Sequence, residues 1–187
     1  MTAVAWDTAF WPPINQHTSI IIYERPLGGS VALAIERGEF KANEYEIQDT
    51  FIEPIYKAIK DMELKEINHR EIRVENLFFM DKGRTEVVLG DCVTCPPGFD
   101  QPLIYEPIER GMASPGGRGS GSLSDDLYAM GVTIVSLILG KNIIEHKTPD
   151  DLFKEKIEHG SYSALCGKRR IPVTVIEPLR GVLSDDP

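Results

Sequence analysis

The sequence predicts an α+β fold, mainly helical, with one small β-hairpin set among the helices. Three observations carry that expectation. Residues 127–139 are apolar and uncharged, but too few for a spanning helix, which needs roughly 20. They read as a buried core helix. Ile47, Phe51, Ile55, Ile59 and Met62 recur at helical spacing, which gives a second amphipathic helix. Residues 75–79 and 86–89 are short and apolar-rich around Asp81-Lys82-Gly83, the pattern of strand, turn and strand.

The other elements follow in chain order. Residues 19–23, Ser-Ile-Ile-Ile-Tyr, are β-branched and read as a buried strand. Pro26-Leu27-Gly28-Gly29 stops it. Residues 31–37 form a short helix closed by Gly38. Asn43 caps the next helix, with Glu46 three residues on as in a capping box. Pro54 lies inside that helix and should kink or split it. Residues 92–107 hold four prolines and are irregular. Residues 114–122 are Gly/Ser-rich around Arg118 and read as a flexible surface loop. Ser124 or Asp125 caps the apolar helix, and Gly140 closes it. Thr148-Pro149 opens another helix that ends at Gly160. Thr174 starts a last one holding Ile176, Leu179, Val182 and Leu183.

Composition narrows the function. The 187 residues include 42% hydrophobic and 26% charged, with a net charge of −9. A nucleic-acid partner needs a basic surface, and anionic lipid attracts basic segments; both are disfavoured. Three cysteines, Cys92, Cys95 and Cys166, make no disulfide framework, which fits a cytoplasmic protein. Cys92 and Cys95 have zinc-like spacing but no second ligand pair, so they read as small loop side chains. The first residues have neither the basic nor the apolar region of a signal peptide.

Several motifs together resemble the protein kinase family, in its bacterial serine/threonine kinase-like flavour. His69-Arg70-Glu71-Ile72-Arg73-Val74-Glu75-Asn76-Leu77 resembles the catalytic loop H-R-D-L-K-P-E-N-L. Gly90-Asp91-Cys92-Val93 falls in the place of the D-F-G segment, with the two short strands between. Tyr105-Glu106-Pro107-Ile108-Glu109 resembles the A-P-E segment, and Asp126-Leu127-Tyr128-Ala129-Met130-Gly131 the start of the central helix. Residues 23–30 resemble the hinge between the lobes. The matches run in the family's order over residues 19–187.

The resemblance implies a kinase-like fold: mostly the helical C-terminal lobe, with the hinge and a hairpin at the cleft. Residues 1–27 would be a remnant of the N-terminal lobe strands and hinge. Residues 28–187 would be the larger lobe, truncated before its last helix. The small lobe, with its Gly-rich loop and strand lysine, would precede residue 1.

Roles follow residue by residue. Glu71 stands where the family has its catalytic aspartate, one methylene longer, and Arg73 where it has a phosphate-neutralising lysine. Asn76 and Asp91 match the ligands of magnesium, which takes hard oxygen donors. Glu24 and Pro26 fall on the hinge that binds adenine, where proline offers no N–H. His69, Arg70, Glu109 and Asp126 match architectural positions: His69 braces the Asp91 turn, Asp126 holds the loop backbone, and Glu109 awaits an arginine. Glu71 is expected to face the cleft. ATP and magnesium binding should therefore be weak. The expected function is a pseudokinase that works by binding a nucleotide or a protein partner. The alternative is a slow ATP-dependent protein serine/threonine phosphotransferase.

Overall fold

The computed structural model describes residues 1–41, 43–90, 101–139 and 148–184. The fold is α+β with small antiparallel sheets. Strands β1 (Ala3–Trp11) and β2 (Gln16–Tyr23) form a two-stranded antiparallel hairpin, with Trp6 opposite Ile21 and Phe10 opposite His17. Pro12 and Asn15 make the turn; Asn15 takes a left-handed φ of 52°, which asparagine tolerates. Strand β1 was not expected from the sequence. The stretch 19–23 is a strand, but Ser19 and Ile22 are exposed and Ile20 and Ile21 only half-buried. Its apolar run suggested burial, yet no second layer among the described residues covers it.

A second sheet joins β3 (Gly29–Ser30), β4 (Leu77–Phe79) and β5 (Val87–Leu89), all antiparallel. The β4–β5 turn is tied by Asp81, whose Oδ2 accepts from Thr85 N at 3.0 Å and Glu86 N at 3.2 Å. Ser30 then caps α1 (Val31–Glu36). The Asn43–Glu46 capping box forms as expected and opens α2 (Glu44–Glu46). A wider π-helical turn, Ile47–Ile52, follows, and α3 (Glu53–Glu63) continues with Pro54 in its first turn. Proline has no N–H to give, so the helix is interrupted where the ladder loses that donor. The π turn is the form the interruption takes.

Helix α4 (Ile108–Met112) is short, and α5 (Leu123–Leu139) is the centre of the body. Helices α6 (Pro149–His159), α7 (Ser161–Cys166) and α8 (Val173–Val182) complete the order; α7 was not expected. Helix α5 is buried nearly all round, as the uncharged stretch from Leu127 to Leu139 requires. Its N-cap is Ser122, and not Ser124 or Asp125: Ser122 Oγ accepts from Asp125 N at 3.4 Å, and Asp125 answers from the third helical position. Asp125 Oδ2 accepts from Ser122 N at 2.6 Å and Oγ at 2.9 Å. One core runs from Val31 to Leu183 through α3, α5 and the second sheet. Phe40, Phe51 and Phe79 pack in it at ring separations of 5.1–6.1 Å. Among the described residues no helix is long and apolar enough to cross a membrane.

Candidate functional site

Residues 69–76 run between α3 and β4, along one face of α5. That face carries Asp125, Asp126 and, two turns on, Thr133. Asp126 accepts from His69 N at 2.6 Å and from Arg70 N at 2.9 Å, one bond to each carboxylate oxygen. Thr133 Oγ1 lies 3.0 Å from the Ile72 carbonyl and 2.8 Å from the Ala129 carbonyl, so its proton is shared. The loop is thus pinned to the helix at three points, His69, Arg70 and Ile72.

The pinning has a local reason. Arg70 has φ of 61°, a left-handed backbone that costs an L-residue roughly 1–2 kcal/mol. Such a conformation persists only where its surroundings over-determine it. The two bonds to Asp126 do that. Burial raises the pKa of Asp126, and the N–H bonds from Arg70 and His69 oppose the rise.

The Arg70 side chain is as constrained as its backbone. It is 2% exposed and donates to Glu106, which is fully buried, at 2.6 Å. Asp125 lies 3.7 Å from its other terminal nitrogen. Arg110 reaches Asp125 at 3.3 Å and donates to the Arg118 carbonyl at 2.7 Å. Burial raises the pKa of Glu106, with the Arg70 charge opposing it. The buried carboxylate of this segment is therefore Glu106. Glu109, expected in that part, is exposed in the first turn of α4 and no buried partner is needed there.

The Gly/Ser-rich stretch is also not the free surface loop its composition suggested. Arg118 is buried within it. Gly121 has φ of 78°, and a Cβ there would run into the Arg70 side chain. Its carbonyl accepts from Asn68 Nδ2 at 3.0 Å. Glycine lets this loop close over Arg70. On the other flank, Lys156 is 1% exposed and donates to the carbonyls of Ile104 at 2.8 Å and Glu106 at 3.0 Å. It also sits 4.9 Å from the centre of the Tyr128 ring.

The chemical half of the loop is closed differently. Glu71 is buried, which corrects the expectation that it faces open solvent in the cleft. Its carboxylate forms an ion pair with Arg73, and its N–H donates to His69 Nδ1 at 3.2 Å. The two side chains meet although only Ile72 separates them in the chain. Asn76 donates through Nδ2 to the Glu71 carbonyl at 3.1 Å. Gly90 N donates to the Asn76 carbonyl at 2.7 Å, and a Cβ on Gly90 would collide with Asn76 Oδ1. Glu71, Arg73 and Asn76 are thus brought together. Asp91 lies outside the described residues, as do Cys92 and Cys95. Among the described residues no group of three or more His, Cys, Asp or Glu side chains could hold a metal ion.

The hinge stretch shows where its backbone donors go. Glu24 N donates to Thr2 O at 3.1 Å, Leu27 N to Met80 O at 3.1 Å and Gly28 N to Phe79 O at 2.9 Å. Gly29 N reaches Pro26 O at 3.4 Å, and Pro26 has no N–H. The Glu24 side chain is exposed.

Glu106, Arg110, Arg118, Thr133 and Lys156 were missed as members of the cluster. Lys156 left one signal: it stands four residues after Leu152, at an apolar position of an amphipathic helix. No protein-family model matches this chain, and no curated protein matches it.

Proposed function

We propose that this chain is a protein-kinase-like module that acts by binding a protein partner, and that its phosphate-transfer chemistry has been lost. The carrying observation is that the buried Glu71 carboxylate is paired with Arg73. A catalytic carboxylate in that place accepts a hydrogen bond from a substrate hydroxyl. Here the carboxylate is already neutralised by a residue two positions away. A general base must reach its proton at about 2.6–3.2 Å, and a buried, paired carboxylate is poorly placed to do so.

The hinge supports the same reading for the nucleotide. Four backbone N–H groups there are spent on carbonyls of this chain, and proline removes another. Adenine recognition through that stretch would have to break bonds worth roughly 0.5–1.5 kcal/mol each. Magnesium held by Asn76 and Asp91 belongs to the same proposal, and would be weak in the absence of a well-held nucleotide.

Melting the protein with saturating ATP and magnesium tests this. A ligand at a hundred times its Kd stabilises by about 2.7 kcal/mol. We expect a shift within experimental error. A stabilisation of that size would show that the nucleotide site is intact and overturn the reading.

A further inference from the structure

We propose that the turn joining α7 to α8 is a docking site for an acidic peptide segment of a partner protein. Lys168, Arg169 and Arg170 supply its charge, and Val173 its apolar edge. The inference stands apart from the kinase-like reading, which names no surface for its partner.

Sequence and structure both set this turn apart. The chain carries −9, yet from Gly160 to Ile176 it has no Asp or Glu. Residues 168–170 are basic, and no other three consecutive residues of the chain are. All three are exposed. Elsewhere Arg37, Lys60, Arg84, Arg110 and Arg180 each lie within 4.0 Å of a carboxylate. Among the described residues Lys168, Arg169 and Arg170 meet none. Adjacent like charges repel, and an anion docked on them relieves that repulsion.

The turn is held in place. Gly167, with φ of 55°, reverses the chain at the end of α7, and Arg169 N donates to the Cys166 carbonyl at 3.2 Å. Cys166 on one side is 1% exposed and Ile171 on the other 8%. The backbone that carries the charges is therefore anchored at both ends, and a preorganised site loses less freedom on binding. Val173 is exposed at the first position of α8, three residues past Arg170.

The sign of the charge selects an anion, and the number of charges selects its kind. Arginine's planar fork pairs with carboxylates, and arginine clusters recognise acidic motifs. A nucleic-acid binder typically neutralises about 6–10 phosphates, whereas three residues span only about 10 Å. Beyond that span a polyphosphate would meet a chain whose net charge is −9. Clusters that hold anionic lipid have about 4–8 basic residues; here there are three. A second copy would bring a net −9 against a net −9. A short segment with two or three carboxylates fits the turn and reaches no further. An apolar side chain beside those carboxylates would rest on Val173.

The test is fluorescence anisotropy of a short, labelled Asp- and Glu-rich peptide carrying one leucine, titrated with the full chain. Saturable binding is expected, weakening severalfold from low to physiological salt. Lys168→Ala, Arg169→Ala and Arg170→Ala in one chain should weaken it by on the order of tenfold. Val173→Asp, which sets a carboxylate beside the cations, should weaken it too. Lys57→Ala, Lys65→Ala and Lys82→Ala in one chain remove the same net charge at other exposed positions and should leave binding nearly unchanged. Far-UV dichroism checks that each variant is folded, and Arg169→Ala alone decides the matter if the triple turn variant is not. Absence of saturable binding overturns the proposal, as does an equal loss in the two triple variants. So does tighter binding of a single-stranded oligonucleotide or of phosphatidylserine vesicles under the same conditions.

Discussion

Arg70 and Arg73 are three residues apart on one loop and each meets a carboxylate, yet the two pairs do different work. Arg70 bonds to Glu106 and approaches Asp125, 36 and 55 positions away in the chain, with every side chain buried. Arg73 bonds to Glu71, two positions away, and keeps 28% of its side chain exposed. The first pair ties the loop, the 103–106 segment and α5 into one body. The second ties nothing distant together. On the kinase-like reading proposed above, its consequence is chemical: it occupies the carboxylate that would stand in the place of the base. A pair's effect on folding depends on what it joins and on how dry it is, and its effect on function can run the other way.

Removing Arg70 should be the most damaging change. Arg70→Met strands the buried Glu106 carboxylate, while Asp125 keeps Arg110 and Ser122, and breaking a buried pair costs roughly 3–5 kcal/mol. Chemical denaturation should show that loss. The double variant Arg70→Met with Glu106→Leu should recover much of it, because burying a charge pair is itself costly. No recovery would mean that Arg70 acts mainly through its packing or through Asp125.

Asp126→Ala should come next. It leaves the buried N–H groups of His69 and Arg70 without an acceptor, at roughly 1–3 kcal/mol for each, and releases a strained φ. Asp126→Asn retains one acceptor and should cost less. If both variants melt with the wild type, Asp126 does not hold the loop.

Arg73→Gln should be the mildest. A partly exposed, local pair is worth about 0–1 kcal/mol, so the melting temperature should barely move. A loss as large as that of Arg70→Met would erase the contrast between the two arginines.

Much of this contrast was legible in the sequence, and part of it was not. Every helix but the short α4 and α7, the capping box at Asn43 and the β4–β5 hairpin follow from spacing and turn residues, which are local signals. Asp126 was singled out through the resemblance of residues 126–131 to the start of a kinase central helix, and it lies at the start of the most apolar helix of the chain. Glu106 was passed over for Glu109, since both lie within two residues of Pro107 and only the tertiary fold decides which turns inward. Glu71 was expected to face open solvent, because the position of Arg73 beside it depends on backbone direction. Arg118 was hidden by its glycines, whose composition reads as exposed loop although here they allow close approach. Strand β1 was missed because Ala, Asp and Thr dilute its pattern. Residues 91–100, which include Asp91, lie outside the described residues.

The central claim is that the Glu71–Arg73 pair marks a loop kept for its architecture and not for phosphate transfer. Incubation of the chain with γ-labelled ATP, magnesium and generic acceptor proteins tests it most directly. The account predicts no label in the acceptors or in the chain itself above a buffer control. Transfer clearly above that control, abolished by Glu71→Gln, would contradict it and would make Glu71 a working base in spite of Arg73.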